Sequence, residues 1–565
     1  MKTQPKVVVF GLDGTTFYNL DPLMEKGVLP TLKKISDSGC KTVLRSSVPP
    51  ITVPSWASFA TGCTAGKHGI YEFLIKKPGS YEETPINRTF LGAPTLWHRL
   101  SEAGKKVLVL NVPTTYPPEP VKGALVSGFL TLKDRGDFVY PPELLSELEQ
   151  KFGPYYLYMK TRITGTYLQD EHITALIQDC RDMLDYKMAI ARYLYDKIEP
   201  DFTMIHIWGT DRIQHELWHL IDSNHPAYDA ELAARHGQAI ENYYRRVDDH
   251  LNDFMKLAGD NVDYFIISDH GFGPIHTLID LNYWLYQQGY LHFKKDFNTL
   301  LKVWLWERGI TWEKLLFALL KIMNTLKIKL KPGVPYEELT MFHMGKKRFL
   351  LTAADIDLTR TRVYAKTGMG QLIINLEGRE PTGCVAPGQE YEQLRADIIA
   401  QLQALSDPRT AHNVQADIHT REIYQGPFRE NCPDITYLAQ KDGYFAVNLT
   451  GFTSNKVFVP LQGMYGNHTM EGVLMAAGPH IVQTADSFPA GIIDLAPTAL
   501  YLLEQPIPSF MDGAPLKDIV KPDFLQAHPP RFVDEELSPP KTQAGMDDEA
   551  SDEIRERLKS LGYLG

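Results

Sequence analysis

Two rhythms of apolar and polar positions alternate along the first half of the chain. Short, almost wholly apolar runs at 6–10, 107–111, 124–127, 202–206 and 264–268 have the length and unbroken character of strands buried on both faces. Between them, 23–38, 95–103, 142–151, 170–197 and 227–256 repeat apolar residues at i, i+3 and i+4, which lays one apolar stripe along a helix. Strands alternating with helices long enough for crossovers predict an α/β fold, a three-layer α/β/α sandwich around a mostly parallel sheet.

After Ser268 the pattern changes. Residues 281–330 are rich in Trp, Leu, Tyr and Lys and read as helical until Pro332, Gly333 and Pro335, so 281–360 is expected to be a helical cap inserted into the core. Strand-like runs resume at 361–364, 371–376 and 472–477, with a helix at 389–405, and the core is therefore expected to comprise 1–280 and 361–520. From about Lys521 the chain turns Pro-rich and then acidic at Asp547, Asp548 and Glu549, before a short charged helix over 551–561. Residues 521–565 thus read as a linker carrying a C-terminal helix.

Composition narrows the choice of partners. With 58 Lys+Arg against 69 Asp+Glu the formal charge is -11, which argues against a nucleic acid held by bulk electrostatics. Five scattered cysteines in 565 residues imply no disulfide framework. The greasiest region, 300–330, is broken by Lys302, Glu307, Arg308, Glu313, Lys314 and Lys321 and does not read as a membrane span. Gly11 and Asp13 interrupt the first apolar run too soon for a signal peptide, so a cytoplasmic protein is expected.

Aspartates and histidines stand just past the C-terminal ends of the predicted strands, where open α/β sheets hold their ligands. Asp13 follows the first strand, Asp211 and His215 follow the strand at 202–206, Asp269 and His270 follow that at 264–268, and His468 precedes the one at 472–477. Singly, each reads equally well as a helix cap or an ordinary histidine. Together, three aspartates and three histidines suit two divalent cations of the zinc type, with Mn²⁺ or Fe as alternatives. Asp211 and His215, four residues apart, meet on one face of a helical turn. Two cations need a nucleophile beside them, and the segment 49–59 offers Thr52 in the turn before a helix whose N-terminus favours an anion. The same string is compatible with Thr52 or Ser55 merely capping that helix.

Asp13, the run from Thr52 to Trp56 leading into Thr61-Gly62 and Gly66-Lys67-His68-Gly69-Ile70, Asp211 with His215, Ser268-Asp269-His270-Gly271-Phe272 and Gly466-Asn467-His468 occur in the order of the alkaline phosphatase superfamily. The chain most resembles its type I phosphodiesterase / nucleotide pyrophosphatase branch, over about 1–280 and 360–510. The resemblance implies Asp13, Thr52, Asp269 and His270 on one metal and Asp211, His215 and His468 on the other. It also implies attack by Thr52 on phosphorus through a phosphothreonine intermediate. Sulfatases need a Cys or Ser nucleophile followed closely by Pro and Arg, which Thr52 and Trp56 do not supply. A haloacid dehalogenase would put its nucleophilic aspartate at Gly11.

One departure bears on the substrate. Where nucleotide pyrophosphatases of this branch carry an asparagine that holds a phosphoryl oxygen, this chain has Phe73. Arg45, Lys67, Arg212 and Asn467 are candidates for that task, and His276 and Asn282 for orienting the ligands from behind. The reaction expected is hydrolysis of a small phosphate ester, a diester before a monoester, a phosphonate or a phosphotransfer reaction. Leu315–Lys321 and Leu326–Lys331, with Trp304, Trp306 and Trp312, read first as a substrate wall and second as an element lying on anionic lipid. A non-catalytic module that binds a partner or a membrane surface is the alternative of a different class.

Overall fold

The computed structural model describes residues 5–77, 79–132, 135–161, 170–310, 350–366, 368–410, 412–448, 452–461, 463–537 and 547–560. Among these, eight strands form the central sheet: β1 (Lys6–Leu12), β2 (Cys40–Arg45), β3 (Val107–Leu110), β4 (Gly123–Val126), β5 (Val139–Tyr140), β6 (Phe202–Ile207), β7 (Val262–Ile267) and β8 (Glu471–Ala477). Their order across the sheet is β2-β8-β7-β1-β6-β3-β4-β5. The five strands from β7 to β4 run parallel, β8 runs antiparallel to both of its neighbours, and β5 runs antiparallel to β4.

The alternation along β1 shows why the sandwich has three layers. Val8, Phe10 and Leu12 enter one hydrophobic cluster with the helices Asp170–Ile198 and Ala230–Ala258, whereas Val7 and Val9 enter another with Thr52–Thr61 and Leu495–Leu502. Successive side chains of a strand point to opposite faces, so a central strand has to be apolar throughout.

The helix expected at 23–38 is two helices, Phe17–Glu25 and Pro30–Ser38. Gly27 between them sits at φ 72°, and Pro30 starts the second, where its missing N–H costs nothing. The segment 363–458, expected to belong to the main core, sends Met369 and Leu438 into the first cluster but packs mostly elsewhere. It joins Ile279–Phe293, Trp306 and Leu351 in a third cluster around a four-stranded sheet, whose order is Val363–Ala365, Gln371–Ile374, Ile435–Leu438, Asp417–Thr420. Within this unit the helix Phe297–Glu307 buries Trp306 and exposes Phe297, Leu300, Leu301 and Trp304. Trp312, 315–321 and 326–331 lie outside the described residues.

The start of the expected linker is docked: helix Pro522–Ala527 sets Phe524 5.7 Å from the Tyr501 ring. The last described helix, Asp548–Ser560, sinks Ala550, Ile554 and Leu558 into the first cluster. No described helix is long and apolar enough to cross a membrane.

Candidate metal centre and active site

The ends of β1, β6 and β7 converge because these three strands are neighbours in the sheet. Asp13 leaves β1 directly, its N–H donating to Ile207 O (3.0 Å) and its carbonyl accepting from the Thr210 hydroxyl (2.7 Å). Gly14, at φ 66°, makes the turn after it and donates its N–H to Asp269 Oδ1 (3.2 Å). A Cβ there would fall 2.9 Å from the Phe272 ring, so this turn needs glycine.

Asp211 and His215 lie in the helix Gly209–Ile221 that follows β6, and their four-residue spacing brings His215 Nε2 to 3.4 Å from Asp211 Oδ1. Asp269 and His270 follow β7. His468 arrives on a separate antiparallel pair, Gly271–Pro274 with Gly466–Thr469, in which it stands opposite Phe272. Its Nε2 is 3.3 Å from Asp211 Oδ1 and 3.0 Å from His215 Nε2, and its ring stacks on His270 at 3.6 Å. Thr52 begins the helix Thr52–Thr61, whose cap position is Ile51 with no side-chain cap bond, so the Thr52 hydroxyl is not used as a cap. Thr52 Oγ1 lies 3.3 Å from His270 Nε2. Nor does Ser55 cap: its hydroxyl meets those of Ser46 (3.0 Å) and Ser47 (2.8 Å), and Ser46 donates on to Asp269 O (2.5 Å). All seven residues are buried.

The donor set fits divalent cations. Three imidazole Nδ1 atoms face carbonyls, His215 to Gly466 O (3.0 Å), His468 to Pro50 O (3.1 Å) and His270 to Gly271 O (3.1 Å). A carbonyl only accepts, so each Nδ1 carries the proton and each Nε2 presents a lone pair to the centre. Two facing lone pairs 3.0 Å apart, as on His215 and His468, repel unless a cation lies between such groups. Asp13 Oδ1 and Asp269 Oδ2 are buried and make no hydrogen bond. Ligand atoms of Asp211, His215 and His468, and likewise of Asp13, Asp211 and His270, lie within 4.8 Å of one another, so Asp211 reaches both groups.

The electrostatics point the same way. Burial, and then the charge of Asp211, pushes the Asp13 carboxyl up to about 7, and burial with Asp13 carries Asp269 well above its ordinary value. Burial also acts on Asp211, but His215 and His468 hold it well below the usual carboxylate range. Burial, reinforced by His468, lowers His270 to about 3, and His468 is lowered by burial too. Asp13 and Asp269 driven towards neutrality, with His270 and His468 kept neutral, mark a site short of positive charge.

Behind Asp13 stand two groups that sequence reasoning missed. His206 Nε2 is 2.6 Å from Asp13 Oδ2, and Trp56 Nε1 donates to the same oxygen at 3.4 Å. Trp56 and His206 meet edge to face at 5.1 Å. A histidine in a doubly buried strand whose other residues are apolar apart from Thr203 was the signal available for His206.

The other candidates separate. Asn467 Oδ1 accepts from the His468 N–H (2.7 Å) and so helps shape the strand that carries His468. Arg45 is exposed on β2, next to the Ser46 that reaches Asp269. Lys67 is engaged by Asp512 (2.6 Å) and Phe510 O (2.6 Å), and Arg212 is fully buried beside Glu216 (2.6 Å), whose carboxylate also meets His172 (2.9 Å). Lys67 is thus held by partners of its own, and Arg212 is enclosed on the face of its helix next to that of Asp211. His276 bonds the Thr277 hydroxyl (3.0 Å) and Asn282 bonds Asn448, so neither orients a ligand.

The chain can now be set beside known proteins. No curated protein matches it. Phosphonoacetate hydrolase from Sinorhizobium meliloti 1021, solved with phosphonoacetate, shares its fold at TM-score 0.50 and 15% identity, over 88% of this chain and 96% of that one. Murine ectonucleotide pyrophosphatase / phosphodiesterase 5, an inactive variant solved with AMP, gives TM-score 0.49 and 12% identity over 92% and 100%. The sequence model of one family matches residues 7–451, and on that match the chain belongs to the type I phosphodiesterase / nucleotide pyrophosphatase family of phosphoester hydrolases.

Proposed function

We propose that the protein is a two-metal phosphodiesterase acting through a phosphothreonine on Thr52. The observation that carries this reading is one hydroxyl at the edge of a six-donor cluster. Thr52 Oγ1 is 3.3 Å from His270 Nε2, which is itself 3.5 Å from Asp13 Oδ1 and 3.3 Å from Asp269 Oδ2. Asp13, Thr52, Asp269 and His270 would hold one cation, and Asp211, His215 and His468 the other. When bound, two divalent cations, zinc by this donor chemistry with Mn²⁺ or Fe as alternatives, would favour the Thr52 alkoxide and offset the charge of the transferring phosphoryl group.

Thr52 Oγ1 gives up its proton and attacks phosphorus, its new O–P bond forming as the bond to the leaving oxygen breaks in line; that oxygen departs with the electron pair and takes up a proton to leave as the alcohol. Water then attacks the phosphothreonine, cleaves the Oγ1–P bond and restores the hydroxyl. The N-terminus of helix Thr52–Thr61 favours the anion at this point. The Ser46–Ser55 contact fixes the first turn of that helix against the Asp269 backbone. Burial of Thr52 keeps bulk water from the attacking oxygen.

The test uses bis(4-nitrophenyl) phosphate with zinc-loaded protein. Thr52→Ala is expected to lose about 10³-fold or more in kcat/KM while zinc is retained at saturating metal through Asp13, Asp269 and His270, and Thr52→Ser to keep part of the activity. Full activity in Thr52→Ala removes Thr52 from the mechanism, and a folded wild type without turnover or bound metal favours a binding module. Initial rates on an aryl monoester, diester, phosphonate and sulfate then order the reaction types.

A further inference from the structure

A cavity of about 1250 Å³ opens between the segment following His68 and the unit built around the four-stranded sheet. Leu74, Ile86, Phe90, Leu358, Ile373 and Phe452 give it a largely apolar wall. Several of its charged groups neutralise one another: Lys76 pairs with Glu380 (2.5 Å), and Arg379 with Asp434 (2.6 Å).

Glu72 differs from these. It is 2% exposed, and its Oε1 accepts from the Phe73 N–H (2.9 Å). Oε2 meets no donor in hydrogen-bonding geometry, although Lys366 and the Met369 amide lie close enough to favour its charged form. Burial outweighs both and pushes the carboxyl up to about 8, so at neutral pH it keeps a proton to donate. The fold makes room for this group at Gly368, where a Cβ would fall 1.8 Å from Oε2. A buried polar atom without a partner, on the wall of a cavity, is what a ligand's hydrogen bond would satisfy.

Two short relays of contacts link the wall of the cavity to the neighbourhood of the catalytic centre. Tyr424 donates its hydroxyl to Val48 O (2.6 Å), in the loop before Thr52, and packs edge-on at 5.1 Å against Tyr71, which lines the cavity. From the other side, Gln440 Nε2 bonds both His468 O (2.8 Å) and Met369 Sδ (3.2 Å), and Met369 follows Gly368.

We propose that this cavity binds the organic part of the substrate, a bulky and largely apolar alcohol with one hydrogen-bonding group that meets Glu72. The inference rests on the phosphodiesterase reading, and it deepens that reading by naming a substrate class. A compact polar ester leaves the apolar wall unused. Each methylene buried there strengthens binding by up to about fourfold.

Calorimetry on zinc-loaded protein with methyl-, butyl- and octylphosphonate tests this without turnover. Kd is expected to tighten at least tenfold from methyl to octyl. Leu358→Trp and Ala353→Trp, which fill the cavity from half-buried and exposed wall positions, are expected to lose most of that gain with methylphosphonate binding unchanged. Among octylphosphonates hydroxylated at carbon 2, 4 or 8, one is expected to bind at least threefold tighter than octylphosphonate, and Glu72→Leu to erase that preference. A wild-type Kd indifferent to chain length, or a gain that survives both tryptophans, overturns the apolar site. A hydroxyl preference that is absent, or kept in Glu72→Leu, overturns the role of Glu72. Turnover of 4-nitrophenyl methyl phosphate, whose methyl group does not fill the cavity, reads the phosphodiesterase reading separately. Turnover with flat chain-length dependence overturns only the cavity, whereas no turnover with steep dependence overturns only the reaction.

Discussion

Replacing His206 by Phe isolates one contact of the centre. The phenyl ring keeps the edge-on packing against Trp56 (5.1 Å) but removes the 2.6 Å contact to Asp13 Oδ2, leaving that oxygen the 3.4 Å bond from Trp56. A buried hydrogen bond to a charged group contributes about 1.5–3 kcal/mol, and loss of such a partner behind a metal ligand lowers affinity about 10- to 100-fold. Tenfold corresponds to about 1.4 kcal/mol, so the two ranges agree. Zinc affinity measured by competition with a chelating dye is therefore expected to fall about 10- to 100-fold in His206→Phe. Circular dichroism and the Tm of the chelator-treated protein should stay near wild type. Activity at saturating zinc should recover much of its loss, because His206 touches Asp13 rather than the reacting atoms. Affinity within twofold of wild type in a folded variant would refute the idea that His206 orients Asp13 for a cation.

Further outcomes follow from the same geometry. Gly14→Ala forces a Cβ to 2.9 Å from Phe272 at φ 66° and disturbs the bond to Asp269, so zinc content and Tm should both drop. Chelation of wild type should abolish hydrolysis and lower Tm, with zinc restoring both, because a ligand that binds only the folded state stabilises it. Glu72 in the folded protein titrates at about 8, above the ordinary 4.5 of a free glutamate, so the folded state holds a proton that the unfolded state releases. Its contribution therefore falls as pH rises from about 4.5 to 8, by at most about 1.4 kcal/mol per pH unit, and the Tm of Glu72→Gln relative to wild type should climb across that window. Ile554→Ala and Leu558→Ala remove fully buried side chains of the last helix and should cost about 2–5 kcal/mol each, read as a lower Tm and faster proteolysis.

What could be read from the chain follows the range of each interaction. The doubly buried strands β1, β3, β4, β6 and β7 were legible because a strand covered on both faces must be apolar at every position, and the i, i+3, i+4 stripes marked the long helices. β2, with Lys41, Val43 and Arg45 interleaved with buried residues, gave no such run. The break at Gly27 and Pro30 was local information outweighed by the apolar periodicity on either side.

The sequence by itself determined the α/β class and singled out Asp13, Asp211, His215, Asp269, His270 and His468 as candidate donors with Thr52 as a candidate nucleophile, since motifs at strand ends and at a helix start follow from local order along the chain. Only the tertiary structure decided how they meet. His468 is brought to Asp211 by pairing with residues 271–274, some 200 positions away, and Asp211 reaches both donor groups. Lys67 and Arg212, both plausible as anion binders in the sequence, are claimed by Asp512 and Glu216. The fold also joined 279–306 to 351–458 in one cluster and left Glu72 without a full partner on the wall of a cavity. Such pairings depend on which side chains are close in space, and a chain of residues carries no direct record of that distance.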